Sequence, residues 1–135
     1  MNAPEVERLL EAHGITPTAQ RVDIARVLLA APQHLSADQV LARLHVTGAP
    51  VSKATVYNTL GLFAARGLIR QVIVDPTKVF FDSNTAAHHH FYNADSGELT
   101  DIDRAALVTG DLPEPPAGTE IAAVDVIIRV RARGA

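Results

Sequence analysis

Helix punctuation constrains this chain more than any other feature, because it divides the first 67 residues into four short helices. Gly14 stands in the helix-stop position behind a stretch at about residues 4–13. Thr16-Pro17 reads as an N-cap followed by proline at the first helical position. Val22, Ala25, Leu28 and Leu29 supply the apolar stripe behind it, and Pro32 stops it. Ser36-Ala37-Asp38-Gln39 is a capping box that opens a third helix with Val40, Leu41 and Leu44 inward. Ser52 caps a fourth, which runs to Arg66 with Gly67 as its stop.

Two β-rich runs follow, at residues 68–74 and 79–82, around the turn Asp75-Pro76-Thr77-Lys78. Helices followed by a β-hairpin are the organisation of a winged helix. From Phe91 onward strands dominate, with Gly97 in a turn and a stiff Pro113-Glu114-Pro115-Pro116 connector. Residues 121–131 read as a last strand that puts Val124, Val126, Ile128 and Val130 on one face by strict alternation. An apolar strand near a terminus must pair with something, and a second subunit is the economical partner. The expected fold class is therefore α+β. An N-terminal winged-helix DNA-binding domain over residues 1–82 precedes a small α/β domain for dimerisation and sensing over residues 83–135.

Composition narrows the function. The chain has no cysteine, which excludes disulfides, thiolate zinc sites and a cysteine nucleophile. No apolar stretch approaches the roughly 20 residues a membrane span needs, and the acidic start is unlike a signal peptide, so a cytoplasmic protein is expected. Net charge is −3, which argues at first against nucleic acid. Divided after Asp75, however, the first part carries +1 and the second −4. Cations belong with the acidic half, and DNA affinity would rest on local placement and on pairing two subunits.

On a helical wheel the fourth helix puts Val56, Thr59, Leu60 and Phe63 on one side. Lys53, Ala54, Tyr57, Asn58 and Gly61 share the other. Ala54 and Gly61 leave room for close approach to a groove, Tyr57 can press on thymine methyls, Asn58 can pair with a base edge and Lys53 can hold phosphate. Any surface helix has a polar side, so periodicity alone divides evenly between a reading helix and a solvated face.

The run His88-His89-His90 continues into Phe91-Tyr92, unlike a purification tag, and is flanked by Asp82 and Asp101. His88 and His90 are two apart, so on a strand both leave the same face. A lone His triplet is more often a surface feature. His34 alone would sit as a capping or core histidine before Ser36, while His13 and His45 read as plain helix-surface residues. Arg129, Arg131 and Arg133 read as a solubilising strand edge and tail, and Asp95, Glu98 and Asp103 as solvating charges.

The stretches Gly14-Ile15-Thr16-Pro17-Thr18-Ala19-Gln20-Arg21, His34-Leu35-Ser36-Ala37-Asp38 and Ser52-Lys53-Ala54-Thr55-Val56-Tyr57-Asn58-Thr59-Leu60 resemble the ferric uptake regulator (Fur) superfamily. The resemblance continues through Phe81-Asp82, the His run and Asp101-Ile102. Residues 112–118 (Leu-Pro-Glu-Pro-Pro-Ala-Gly) and 124–129 (Val-Asp-Val-Ile-Ile-Arg) look like its iron response regulator branch. That branch implies a dimeric, metal- and haem-responsive regulator of iron and haem genes on A/T-rich operators. The alternative within the family is a divalent-metal (Mn or Fe) sensing repressor without a haem response.

Carried over residue by residue, the resemblance implies one regulatory site for Mn, Fe or Zn held by His34, Asp82, His88, His90 and Asp101. It implies that Tyr57 touches bases and Arg21 holds backbone phosphate. The cysteine pair of the structural zinc site found in many relatives is replaced by Asn93 and Ser96, so no structural zinc held by four cysteines is expected. Ala87 stands where a second metal site has a histidine. His88, His89 and His90 are the candidate haem-binding residues, with His89 able to serve as an axial ligand. The residues leave open whether haem would displace the metal or bind elsewhere. A metalloenzyme is the rival class, since histidines with carboxylates also build hydrolase sites. A five-ligand site leaves little open coordination, and no Ser-His-Asp set or phosphate-cradling glycine loop accompanies it. A His-rich metal carrier is a third class, which would need no reading helix.

Overall fold

A computed structural model describes residues 1–86, 88–102 and 110–134. The chain divides into two compact units, Met1–Thr85 and Ala86–Ala135. Among the described residues, no helix is long and apolar enough to cross a membrane.

The first unit begins with α1, Ala3–Ala12, whose N-cap Asn2 accepts a hydrogen bond from the Glu5 N–H. It ends at Gly14, at φ 71°, as expected for a glycine stop. His13, expected to be a plain surface residue, instead donates from Nδ1 to the Leu9 carbonyl at 2.9 Å and closes the helix end. The second helix, α2, spans Ala19–Leu28 and starts two residues later than the Thr16-Pro17 reading. Thr18 is the cap, its Oγ1 accepting from the Arg21 N–H at 3.2 Å. The Thr16 carbonyl is taken by the Arg21 guanidinium at 2.8 Å, so the proline lies outside the helix.

A two-residue strand, β1 (His34–Leu35), comes next and is invisible to periodicity because it is too short to show one. Helix α3, Ala37–Val46, opens on the full capping box: Ser36 Oγ accepts from the Gln39 N–H and Gln39 Oε1 accepts from the Ser36 N–H. Helix α4, Lys53–Ala65, is capped by Ser52 and stopped at Gly67. Strands β2 (Arg70–Asp75) and β3 (Lys78–Asp82) form the hairpin, and Asp75 holds its turn by accepting from the Thr77 N–H and hydroxyl. The sheet order is β1-β3-β2, all antiparallel.

The apolar residues of these elements make one core. Val6, Leu10, Ile24, Leu28, Val40, Leu44, Val56, Leu60 and Phe63 are almost wholly removed from solvent. Each large side chain so buried stabilises the unit by roughly 1.5–3 kcal/mol before entropy is counted.

The second unit is built on β4 (His89–Asn93), β5 (Leu99–Ile102) and β6 (Ile127–Val130), which are its regular elements among the described residues. The order is β5-β4-β6, antiparallel on one side of β4 and parallel on the other. The last strand is thus shorter than the expected 121–131, and it pairs within its own chain. The reason is local. Strand β4 is in register with residues 127–130, its His90 N–H reaching the Val126 carbonyl at 3.2 Å, while the Val126 N–H goes to a side chain, His89 Nδ1, at 3.0 Å. Among the described residues here, the buried apolar ones are Tyr92, Leu99 and Ile102.

Candidate functional site

In the first unit, antiparallel pairing sets His34 directly opposite Asp82. Facing residues on such a pair share one side of the sheet, and His34 Nε2 lies 4.0 Å from Asp82 Oδ2. Asp82 is 1% exposed, and its other oxygen accepts from the Asn84 N–H at 2.9 Å. A carboxylate taken this far from water needs cationic or hydrogen-bonding company on its second oxygen. His34, half-buried at the end of the two-residue strand, faces that oxygen.

The second unit repeats the device. His90 is opposite Asp101 in the β4–β5 register, and His88, two residues earlier, falls on the same side. His88 Nε2 and His90 Nε2 lie 3.1 and 3.2 Å from the same Asp101 Oδ1, and the two rings are 4.5 Å apart. His88 Nδ1 is 2.6 Å from the Ala86 carbonyl. A carbonyl only accepts, so Nδ1 carries a proton, and the neutral form would turn the lone pair of Nε2 towards a carboxylate oxygen. That approach is repulsive unless a proton or a metal cation lies between them. A second ring nitrogen held by a backbone carbonyl is also how metal-ligating histidines are oriented. Imidazole with carboxylate suits Mn, Fe or Zn. The residues present therefore fit a divalent cation.

His89 points away from this trio, as the strand alternation requires. Its Nδ1 accepts the Val126 N–H, which puts the ring proton of the neutral form on Nε2. Binding haem iron through Nδ1 would require giving up that backbone bond, and binding through Nε2 would require losing the ring proton or moving it. Asn93 and Ser96, at the positions of the missing cysteine pair, have structural work. Asn93 Oδ1 accepts from the N–H groups of Asp95 and Ser96, and Ser96 Oγ from that of Glu98. Asp95 does more than solvate, since its Oδ2 accepts the Ala132 N–H at 2.6 Å. Ala87 and Asp103 lie outside the described residues.

On α4 the expected division holds: Val56, Thr59, Leu60 and Phe63 are buried, while Lys53, Tyr57, Asn58 and Gly61 are exposed and Ala54 is exposed beside them. A Cβ added at Gly61 would meet nothing within 4 Å, so this face is open to close approach. Tyr57 is 45% exposed, its hydroxyl donating to Asp38 Oδ1 at 3.1 Å. Lys53 Nζ is 3.6 Å from the same oxygen and 5.6 Å from the Tyr57 ring centre. Arg21 uses part of its fork on Thr16, leaving further donors of its guanidinium for another acceptor.

Sequence reasoning missed Gln33. Its Nε2 donates to the carbonyls of Val27 and Leu28 at the end of α2, and its Oε1 accepts from Arg43 of α3. Its backbone exchanges bonds with Ser83, next to Asp82. Gln33 thereby fixes the strand that carries His34. Only its place, beside a candidate ligand and after the helix-stopping Pro32, could have drawn notice.

The model of the ferric uptake regulator family matches residues 12–112. The chain belongs to the ferric uptake regulator family. Members of this family are transcription regulators, not enzymes. The chain is 32% identical over 98 residues to the peroxide-responsive repressor PerR of Staphylococcus aureus (strain Mu50), covering 73% of this chain. The match spans 66% of the length of that relative. The ferric uptake regulator from Pseudomonas aeruginosa, solved with manganese, has a TM-score of 0.71 at 28% identity over 99% of this chain and 100% of that one. The Vibrio cholerae ferric uptake regulator has a TM-score of 0.73 at 22% identity over 93% and 98% of the two chains, a likeness of fold.

Proposed function

We propose that this chain is a metal-responsive transcription regulator that binds A/T-rich operator DNA as a homodimer in the cytoplasm. Residues 1–82 serve as the winged-helix reader and residues 83–135 as the dimerisation and sensing part. The observation that carries this reading is the convergence of two histidine nitrogens on one oxygen of Asp101, with the tautomer of His88 fixed by a backbone carbonyl.

The ligands of a single regulatory ion are His34 and Asp82 from the first unit with His88, His90 and Asp101 from the second. A bound Mn, Fe or Zn ion supplies the positive charge that lets two carboxylates and three imidazoles share one point. In such a shared site Asp82 and Asp101 would repel each other without a cation. His34 and His90, each opposite an aspartate on its own sheet, aim the two sets. When all five hold one ion they fix the angle between the units, and an angle that suits the operator ties metal binding to DNA binding. On DNA, Tyr57 and Asn58 read bases while Lys53 and Arg21 hold phosphates. The manganese in the Pseudomonas aeruginosa relative supports this assignment of ion class.

The test is fluorescence anisotropy of a labelled A/T-rich duplex, with Mn²⁺ or with chelator. Coupling of ordinary size predicts binding about 5- to 150-fold tighter with metal. Equal affinity in both conditions contradicts the reading. A haem response is the second reading, carried by residues 112–118 and 124–129, which resemble the iron response regulator branch. Release of DNA on adding hemin to the Mn²⁺-loaded protein would establish it. Release by chelator alone would leave a plain divalent-metal sensor.

A further inference from the structure

The exposed face of α4 is not a set of separate side chains. Asp38, from the first turn of α3, reaches it and holds two of its members at once: the Tyr57 hydroxyl at 3.1 Å and Lys53 Nζ at 3.6 Å. Lys53 also lies 5.6 Å from the Tyr57 ring centre, so the three side chains close on one another. Lys53 and Asp38 are both about two-thirds exposed, at 66% and 65%. Asp38 suits the positive end of α3, but it also places an acid on a surface proposed to meet phosphates. Here it has two effects of opposite sign.

As an acceptor, Asp38 pins the tip of a half-exposed tyrosine that would otherwise sample several rotamers, so the ring meets a base already oriented. As an anion, it competes with DNA phosphate for Lys53 and repels the backbone nearby, which weakens binding to every sequence alike. We infer that Asp38 is a specificity-setting residue of the DNA interface: it orients Tyr57 for base contact and keeps Lys53 from adding indiscriminate phosphate affinity. This inference rests on α4 being the DNA-reading helix, as proposed above.

Three variants separate the two roles. Asp38→Asn keeps an oxygen for the Tyr57 hydroxyl but removes the charge. Asp38→Ala removes both, and Tyr57→Phe removes only the hydroxyl. Each is measured by anisotropy with Mn²⁺ on an A/T-rich and a G/C-rich duplex of equal length, over a series of salt concentrations. Circular dichroism and melting confirm that the variants fold.

Asp38→Asn should bind both duplexes about two- to five-fold more tightly at low salt. Its salt slope should steepen by about one, the contribution of one extra phosphate contact, and its preference for the A/T-rich duplex should stay within about twofold of wild type. Asp38→Ala should show the same steeper slope but lose preference several-fold, and Tyr57→Phe should lose preference with no change of slope. An unchanged slope in Asp38→Asn, or an unchanged preference in both Asp38→Ala and Tyr57→Phe, overturns the inference while leaving the DNA reading standing. Failure of the wild type to bind either duplex overturns both.

Discussion

The two units use the same device, a histidine facing an aspartate across antiparallel strands, but they support it differently. In the first, His34 and Asp82 stand on a sheet whose Phe81 joins a large core of helical side chains. There the carboxylate is buried and the imidazole partly exposed. In the second the burial is reversed: His88 and His90 are buried and Asp101 is half-exposed, on a sheet whose buried apolar residues are Tyr92, Leu99 and Ile102. A buried carboxylate held by a backbone N–H is fixed in place and costly without company. The half-exposed Asp101 keeps part of its hydration and is the less costly of the two to hold as an anion. In the first set packing fixes the carboxylate, whereas in the second it fixes the two imidazoles and leaves the carboxylate nearer to solvent.

The largest effect that would test this contrast is on stability. Phe63→Ala should cost about 3–5 kcal/mol in urea unfolding, the range for deleting a buried aromatic. Leu99→Ala should cost nearer ~2 kcal/mol, the low end for a leucine, because among the described residues of its sheet only Tyr92 and Ile102 are buried apolar side chains beside it. Equal losses would erase the distinction. Next, replacing both His88 and His90 by alanine should weaken Mn²⁺ binding at least about 100-fold by isothermal titration calorimetry, more than the roughly 10- to 100-fold typical of residues that only support ligands. Full retained affinity would move the ion elsewhere.

On the reading surface, Tyr57→Ala should lower affinity for the A/T-rich duplex by about 1–3 kcal/mol with circular dichroism unchanged. Unchanged affinity would rule out this face of α4. The smallest effect is expected at the capping box, where Ser36→Ala should cost about 1 kcal/mol in the same unfolding experiment.

Much of the first unit is legible in the sequence because its helices carry their own boundaries. Ser36, Ser52, Gly14 and Gly67 act through local hydrogen bonds or local φ, which neighbouring residues alone determine. The start of α2 is misleading in the sequence because two threonines flank Pro17, and the choice between them depends on Arg21 claiming the Thr16 carbonyl. Strand β1 and the role of Gln33 depend on chain distant in sequence, Asp82 and Ser83, and leave no periodic trace. The last strand shows alternation over more residues than its partner strand can pair, so alternation overstates its length. For the site, the spacing of His88 and His90 implies their common side, but the opposition of His90 to Asp101 is a matter of register. The link from Asp38 to Tyr57 and Lys53 joins two helices and could not be read from either.

Under the proposed function, both His–Asp sets would ligate one ion, and this ion would control DNA binding. The most direct measurement is a double-mutant cycle with His34→Ala, His90→Ala and the pair, reading the gain in A/T-rich duplex affinity on adding Mn²⁺. A single shared ion predicts that either substitution alone removes most of the metal-dependent gain and that combining them adds little. Independent, additive losses, or a full gain retained in either single variant, would contradict it.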